Sequence, residues 1–120
     1  MFSHRAEVSL ANPLGPAARG IGPVARGWEQ VSETQDEATS RLREGEIVGF
    51  ETVAKQVTAE LAYIVEVERY KAKVGGREDV VPIAVRVTSI LRPEDGGWKV
   101  VHRHADPIVA ARPAQSVIQE

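Results

Sequence analysis

The stretch VPIAVRVTSILRPEDGGWKVVHRHADP, from Val81 to Pro107, decides the fold of this 120-residue chain. Its first part, to about Arg92, is dense in Val, Ile, Thr and Leu, and similar chemistry resumes from Trp98 to His104 after a Gly-bearing break. These two runs predict a β-hairpin. We expect a three-residue loop, Glu94 to Gly96, in which Gly96 adopts the left-handed conformation that such a loop requires.

This loop sets the pairing of the two strands. Thr88 would lie opposite His102, and Arg86 opposite His104, on a side of the hairpin that is polar and rich in rings. The other side is mostly apolar. The hairpin therefore predicts one sheet face for packing and one that carries polar chemistry.

The rest of the chain has the patterns of one helix and three more strands. Phe2 to Leu10 is typical of a brief edge strand, Trp28 to Arg43 of a helix capped by Gly45, and Ile47 to Val57 and Leu61 to Val74 of long strands. The order is strand, helix and four strands in a meander. It predicts an α+β fold with a largely antiparallel sheet.

A tandem repeat precedes the helix. GPAARGI at residues 15–21 is followed at once by the near-copy GPVARGW at residues 22–28. Two copies are too few for a solenoid, and Gly and Pro do not hold a helix interior, so we expect a duplicated surface loop.

Composition limits the classes of partner. Fifteen basic against seventeen acidic residues give a net charge of −2, and no window clusters Lys and Arg with aromatic residues, so we expect neither a nucleic acid nor a membrane as partner. The chain has no Cys and no opening apolar run long enough for a signal peptide or membrane span. We expect a cytoplasmic protein without a cofactor, with a single domain at residues 1–107 and a tail at 108–120.

Three strings, AYIVEVERYKAKVGG (62–76), VRVTSILRPEDGGW (85–98) and VVHRHADP (100–107), resemble the SnoaL-like branch of the nuclear transport factor two-like, or cone-fold, superfamily. That superfamily includes polyketide cyclases, ketosteroid isomerase and the association domain of calmodulin-dependent kinase II. The resemblance covers Phe2 to Pro107. It implies a curved, mostly antiparallel β-sheet wrapped on a helix, with the N-terminal helices of such relatives shortened or missing.

The apolar face of the predicted sheet resembles a cone interior and carries our candidate ligand-binding residues, Tyr63, Ser89 and Arg103. A guanidinium among valines needs an anion or carbonyl partner. A ligand carboxylate or enolate would serve, or else Arg103 extends to the mouth of the cone or pairs with an acid from the helix or tail. Tyr63 is either a donor to a ligand carbonyl, which the resemblance to ketosteroid isomerase invites, or a core tyrosine. No Asp or Glu falls on the predicted interior, which argues against catalysis.

A second cluster is predicted on the opposite, outer face. A five-residue loop from Gly75 to Asp79 would set Glu68 opposite Arg86 and beside His102 and His104. These residues would be a general base with an oxyanion donor, a two-His, one-carboxylate metal site, or a structural ion pair in a dimer interface. Because Arg86 opposes a cation, we expect no metal.

Besides a histidine-dependent enzyme that would use the outer face, two functions remain open after these observations. The first is a small-molecule-binding protein, of isomerase or cyclase type, that acts on an apolar carbonyl compound. The alternative is a non-catalytic dimerisation or association module. In both cases we expect a homodimer through the outer sheet face, and the superfamily as a whole does not decide between enzyme and module, since it hosts both on one scaffold.

Overall fold

The computed structural model describes residues 2–5, 7–11, 24–40 and 42–119. Along the chain these form β1 (Ser9–Ala11), β2 (Ala25–Arg26), α1 (Gly27–Ser40), β3 (Leu42–Val57), β4 (Ala62–Val74), β5 (Val81–Glu94) and β6 (Gly97–Pro107), followed by a short 3₁₀ helix, Ala114–Val117. The predicted order of strand, helix and four-strand meander is confirmed. β2 was not predicted because a strand of two residues has no periodicity to detect.

The six strands of the described residues form a single sheet in the order β2-β1-β6-β5-β4-β3. β1 pairs in parallel with β6, and every other neighbouring pair is antiparallel. The predicted α+β fold, a curved and mostly antiparallel sheet with a helix against it, is confirmed.

The helix ends earlier than the sequence indicated. α1 stops at Ser40, and Gly45 lies inside β3 instead of capping the helix, so that part of the prediction is wrong. The reason is tertiary: Leu42 pairs with Val74 and Arg43 with Lys73, and this ladder takes up the backbone groups that a longer helix would have used.

Among the described residues, two buried clusters form the core. The first joins Val8 and Leu10 to Ala25 and Val31, with Phe2 and Trp28 packed against it. The second is formed by Val85, Val87 and Ala105, with Tyr70 and Ile83 against it. We call the sheet face that bears the second cluster and lies under α1 the inner face, and the opposite one the outer face.

The turn of the β5–β6 hairpin is shorter than predicted. Glu94 pairs with Gly97, which leaves the two residues Asp95 and Gly96 as the loop. Gly96 has a φ of 87°, so its predicted left-handed conformation is confirmed. Further along, Leu91 pairs with Val100 but Ile90 pairs with His102, which makes Val101 the extra residue of a β-bulge.

The short turn and the bulge together move the pairing by two residues. Thr88 lies opposite His104, not His102, and Arg86 lies opposite Asp106, not His104. Because side chains alternate with a period of two, a shift of two preserves the faces. His102 and His104 therefore share the outer face with Thr88 and Arg86, as predicted, although the predicted partners are wrong.

Between β4 and β5 the error is one residue, and its effect is larger. Glu68 pairs with Val85, and Val67 pairs with Arg86, so the predicted Glu68–Arg86 pair is wrong. A one-residue shift moves every side chain of a strand to the other face. Glu68 therefore lies on the inner face and Tyr63 on the outer face, the reverse of both predictions.

The C-terminal segment adds little to the core. After β6, the Ile108 amide donates to the Ala84 carbonyl at 2.9 Å, and residues 109–119 are exposed. The tandem repeat lies outside the described residues except for positions 24–28. In the part of the chain that the structure describes, no helix has the length and apolar character needed to cross a membrane.

Candidate ligand pocket

A pocket of about 290 Å³ lies between α1 and the inner face of the sheet. Its walls are the side chains of Gln35, Ala38, Thr39, Leu42, Tyr70, Val74, Ile83, Val85, Arg103, Ala105 and Pro107. The volume is at the lower end of what small-molecule sites use, and the lining is mostly apolar with few polar groups, which is the usual composition of such sites.

Periodicity explains why these residues meet. On β6, Arg103, Ala105 and Pro107 are two residues apart and so point to the same face. On α1, Gln35, Ala38 and Thr39 follow the i, i+3, i+4 spacing of one helix face. Ala38 and Thr39 have short side chains, which leave the space between the helix and the sheet unfilled.

Arg103 forms the central polar contact of the pocket with Glu68. Its Nη1 and Nη2 donate to the Glu68 Oε2 and Oε1 at 3.0 and 3.1 Å, a bidentate ion pair. Strand β5 lies between β6 and β4, so the pair reaches across it, over the buried face that carries Val85 and Val87. The acid that the guanidinium needs is thus supplied by a strand of the sheet, whereas the sequence suggested the helix or the tail.

Tyr70 stands beside this ion pair and lines the pocket. Burial, together with the negative charge of Glu68, raises the pKa of the Tyr70 hydroxyl, and the Arg103 charge offsets part of that effect. The phenol therefore stays protonated at neutral pH and is a hydrogen-bond donor. Tyr70 thus occupies the inner-face position that the sequence suggested for Tyr63.

A second, shallower pocket of about 280 Å³ adjoins the first at Tyr70 and is lined by Glu68, Phe50, Ile47 and Glu46 with Gly45. Glu68 thus faces one pocket while its partner Arg103 faces the other. Sequence reasoning missed Glu68 and Tyr70 as inner-face residues. Arg103 was the sequence signal that could have identified Glu68, because a buried guanidinium requires a carboxylate nearby.

Two of the three predicted ligand-binding residues, Arg103 and Ser89, are neighbours on the inner face, and the third, Tyr63, lies on the outer face. Arg103 lines the pocket. Ser89 lies directly opposite Arg103 on the inner face but is not part of the pocket wall. Tyr63 pairs with Ile90 on the outer face and is 39% exposed, so its predicted place in the cone interior is wrong.

The outer face carries three of the four residues predicted to cluster there. Arg86 donates to the carboxylate of Asp106 in an exposed ion pair. His102 shares a 2.7 Å hydrogen bond between its Nδ1 and the Ser9 Oγ, and its ring meets that of His104 edge-on at 6.4 Å between centroids. Burial, and then the charge of His104, lower the pKa of His102.

Glu68, the fourth predicted member, lies on the opposite face of the sheet, so the two-His, one-carboxylate set is not assembled. Over residues 2–5, 7–11, 24–40 and 42–119, no three His, Asp or Glu side chains come close enough to hold a metal ion.

The SnoaL-like domain family matches this chain over residues 4–110. No curated protein matches it.

Solved structures share the fold at low sequence identity. A proposed dehydratase of the nuclear transport factor 2-like family from Streptomyces avermitilis superposes with a TM-score of 0.67 at 23% identity, over 86% of this chain and 69% of its own. A ketosteroid isomerase-like protein from Erwinia carotovora atroseptica gives 0.69 at 17%, over 91% and 77%. A proposed calcium/calmodulin-dependent protein kinase type II association domain from Thiobacillus denitrificans gives 0.62 at 20%, over 90% and 77%.

Proposed function

Because this chain belongs to the SnoaL-like domain family, we propose that it binds a small apolar carbonyl compound in the pocket between α1 and the inner sheet face. The observation that carries this proposal is the pocket itself, which combines a mostly apolar wall with the hydrogen-bond donors Arg103 and Tyr70. A carbonyl oxygen accepts hydrogen bonds from such donors, while the rest of the compound packs on aliphatic side chains.

Proton transfer next to the carbonyl is the chemistry that this arrangement favours. Glu68, which lines the adjoining pocket, would accept a proton from the carbon beside the carbonyl of a compound that extends past Tyr70 into that pocket. Tyr70 and Arg103 would donate hydrogen bonds to the enolate oxygen that develops. Returning that proton to another carbon of the enolate completes an isomerisation without any further reactant. The structural relatives named as a dehydratase and as ketosteroid isomerase-like fit such chemistry.

Filling the pocket tests the binding proposal. We expect Ala38→Leu, which adds bulk from the helix side, to abolish the chemical-shift changes that small ketones cause in the protein NMR spectrum. Ala110→Leu, the same change at an exposed position after β6, is the control and should leave them intact. Equal responses of both variants, or no response of the unmodified protein to any small ketone, would refute the proposal.

A second candidate is an association module that acts through the outer face. The corrected register places Tyr63, Val65, Val67 and Ile90 together on that face, so it is more apolar than the sequence suggested. Partly exposed apolar rows with a polar rim are typical of protein interfaces. The relative from Thiobacillus denitrificans, an association domain by name, supports this alternative, and the oligomeric state of an outer-face variant tests it.

A further inference from the structure

The pocket presents a guanidinium whose charge is already neutralised. We propose that Glu68 sets the charge selectivity of the site, so that it admits a neutral carbonyl compound and discriminates against the carboxylate of the same shape. This inference rests on the proposed function, since it concerns the ligand of the same pocket. It assigns Glu68 as a specificity-determining residue.

The ion pair occupies the part of Arg103 that would otherwise bind an anion. An arginine that faces a pocket alone is the usual receptor for a carboxylate, which it binds through two parallel N–H groups. Here Glu68 accepts from both Nη1 and Nη2 at 3.0 and 3.1 Å, so the carboxylate-binding fork of Arg103 is in use. A guanidinium has five N–H donors. The remaining three stay available to a neutral acceptor.

The charge of the pocket is also balanced. Among the described residues that line it, Arg103 is the one with a charged side chain. Since its counter-charge Glu68 lies within hydrogen-bond distance, the pair offers donors without net positive charge.

A carboxylate ligand would therefore have two unfavourable options. It can displace Glu68, whose side chain is only 14% exposed and would then lose its counter-charge in a poorly solvated place. It can instead bind beside the intact pair and meet the repulsion of Glu68. A ketone, ester or lactone has neither problem, because its carbonyl oxygen accepts a hydrogen bond from an Arg103 N–H or from the Tyr70 hydroxyl without bringing a charge.

The experiment compares two ligands of nearly equal shape, cyclohexyl methyl ketone and cyclohexanecarboxylate, at about pH 7.5, where the acid is ionised. Dissociation constants come from NMR titrations of the full chain. We expect the unmodified protein to bind the ketone at least about tenfold more tightly than the acid, and Glu68→Gln to lower that ratio by at least about tenfold. Glu66→Gln is the matched control. Glu66 lies two residues before Glu68 on the same face of β4 but outside the pocket wall, so this variant should keep the ratio.

The outcomes separate the two proposals. If the unmodified protein binds the acid as tightly as the ketone, or if Glu68→Gln keeps the ratio of the two dissociation constants, the selectivity inference is overturned and the binding proposal stands. If neither ligand binds, both fail. The comparison of the two ligands on the unmodified protein does not depend on the folding of any variant, and Glu68→Asp, which keeps the charge, should restore the preference for the ketone.

Discussion

The guanidinium of Arg103 on β6 reaches across β5 and binds both carboxylate oxygens of Glu68 on β4. The side chains are 24% and 14% exposed, so the pair is only partly solvated. This single contact links β6 to β4 across the strand between them and forms the polar edge of the pocket. Its energetic role and its chemical role can be measured separately.

A double-mutant cycle on Arg103→Leu and Glu68→Leu measures the energetic role. Each single change leaves one charge without its partner, and we expect the free energy of unfolding to fall by about 1–3 kcal/mol. The double variant should lose less than the sum, with a coupling of about 1 kcal/mol or more. Urea unfolding provides these values.

The exposed Arg86–Asp106 pair is the control for this cycle. Ion pairs in water contribute little, so the same cycle there should show no resolvable coupling. An Arg103→Leu variant as stable as the unmodified protein would contradict the prediction, because it would show that Glu68 tolerates the loss of its counter-charge.

The Arg103–Glu68 pair explains why the sequence pattern assigned the residues of β4 to the wrong faces. In β4 the residues Tyr63, Val65 and Val67 alternate with Ile64, Glu66 and Glu68. Alternation of this kind predicts that the tyrosine and valines point inward and the glutamates outward. The structure has the opposite arrangement. The carboxylate of Glu68 lies on the inner face because Arg103, on the second strand away in the sheet and 35 residues away in the chain, neutralises it there.

Strand positions, by contrast, depend on local composition and were predictable. β5 and β6 begin and end within a few residues of the predicted runs, because β-branched density and a Gly-bearing turn are local signals. Register depends on loop length and bulges, and a single residue decides the face. Neither the bulge at Val101 nor the one-residue shift between β4 and β5 has a distinct sequence signal.

Gly96 offers a direct test of the hairpin turn. Its φ of +87° is unfavourable for a residue with a Cβ, whereas the adjacent Gly97 has an ordinary φ, and at both positions an added Cβ would meet open space. We expect Gly96→Ala to lower the free energy of unfolding by about 1 kcal/mol more than Gly97→Ala does. Thermal unfolding of the two variants side by side measures the difference. Equal losses would show that the turn does not depend on the left-handed conformation.

His102 predicts a pH dependence of stability. Its pKa in the folded protein lies below the ordinary value of 6.5, because burial and then His104 disfavour its charged form. The unfolded chain therefore binds a proton more readily, and the contribution of His102 is fully present above pH 6.5 and is lost as the pH falls through the lower, folded pKa. Urea unfolding between about pH 8 and pH 5 should show this loss.

Two variants assign that loss to His102. His102→Asn, which keeps a side-chain partner for the Ser9 hydroxyl, should flatten this part of the profile. His4→Asn changes the exposed histidine that stacks on Trp28 and should leave the profile as it is. If His102→Asn and the unmodified protein lose stability in parallel, another group is responsible.

The outer face predicts the oligomeric state. Val65 lies at its centre, paired with Thr88, whose other neighbour is His104. If this face is the interface of a homodimer, a lysine at Val65 places an unpaired charge in the most apolar part of the contact, and the protein should be monomeric. Light scattering coupled to size exclusion measures the mass, and circular dichroism checks that the variant folds.

The same substitution on the inner side of β3, Val57→Lys, is the control for this measurement. Val57 is more than half exposed and pairs with Ala62, so a lysine there remains in water and leaves the outer face unchanged. We expect it to keep the dimer. A dimer in both variants would show that the outer face is not the interface. A monomeric unmodified protein would exclude the proposed function as an association module. Loss of the dimer in the Val65→Lys variant alone, with ketone binding retained, would show that the interface and the pocket act independently on the two faces of one sheet.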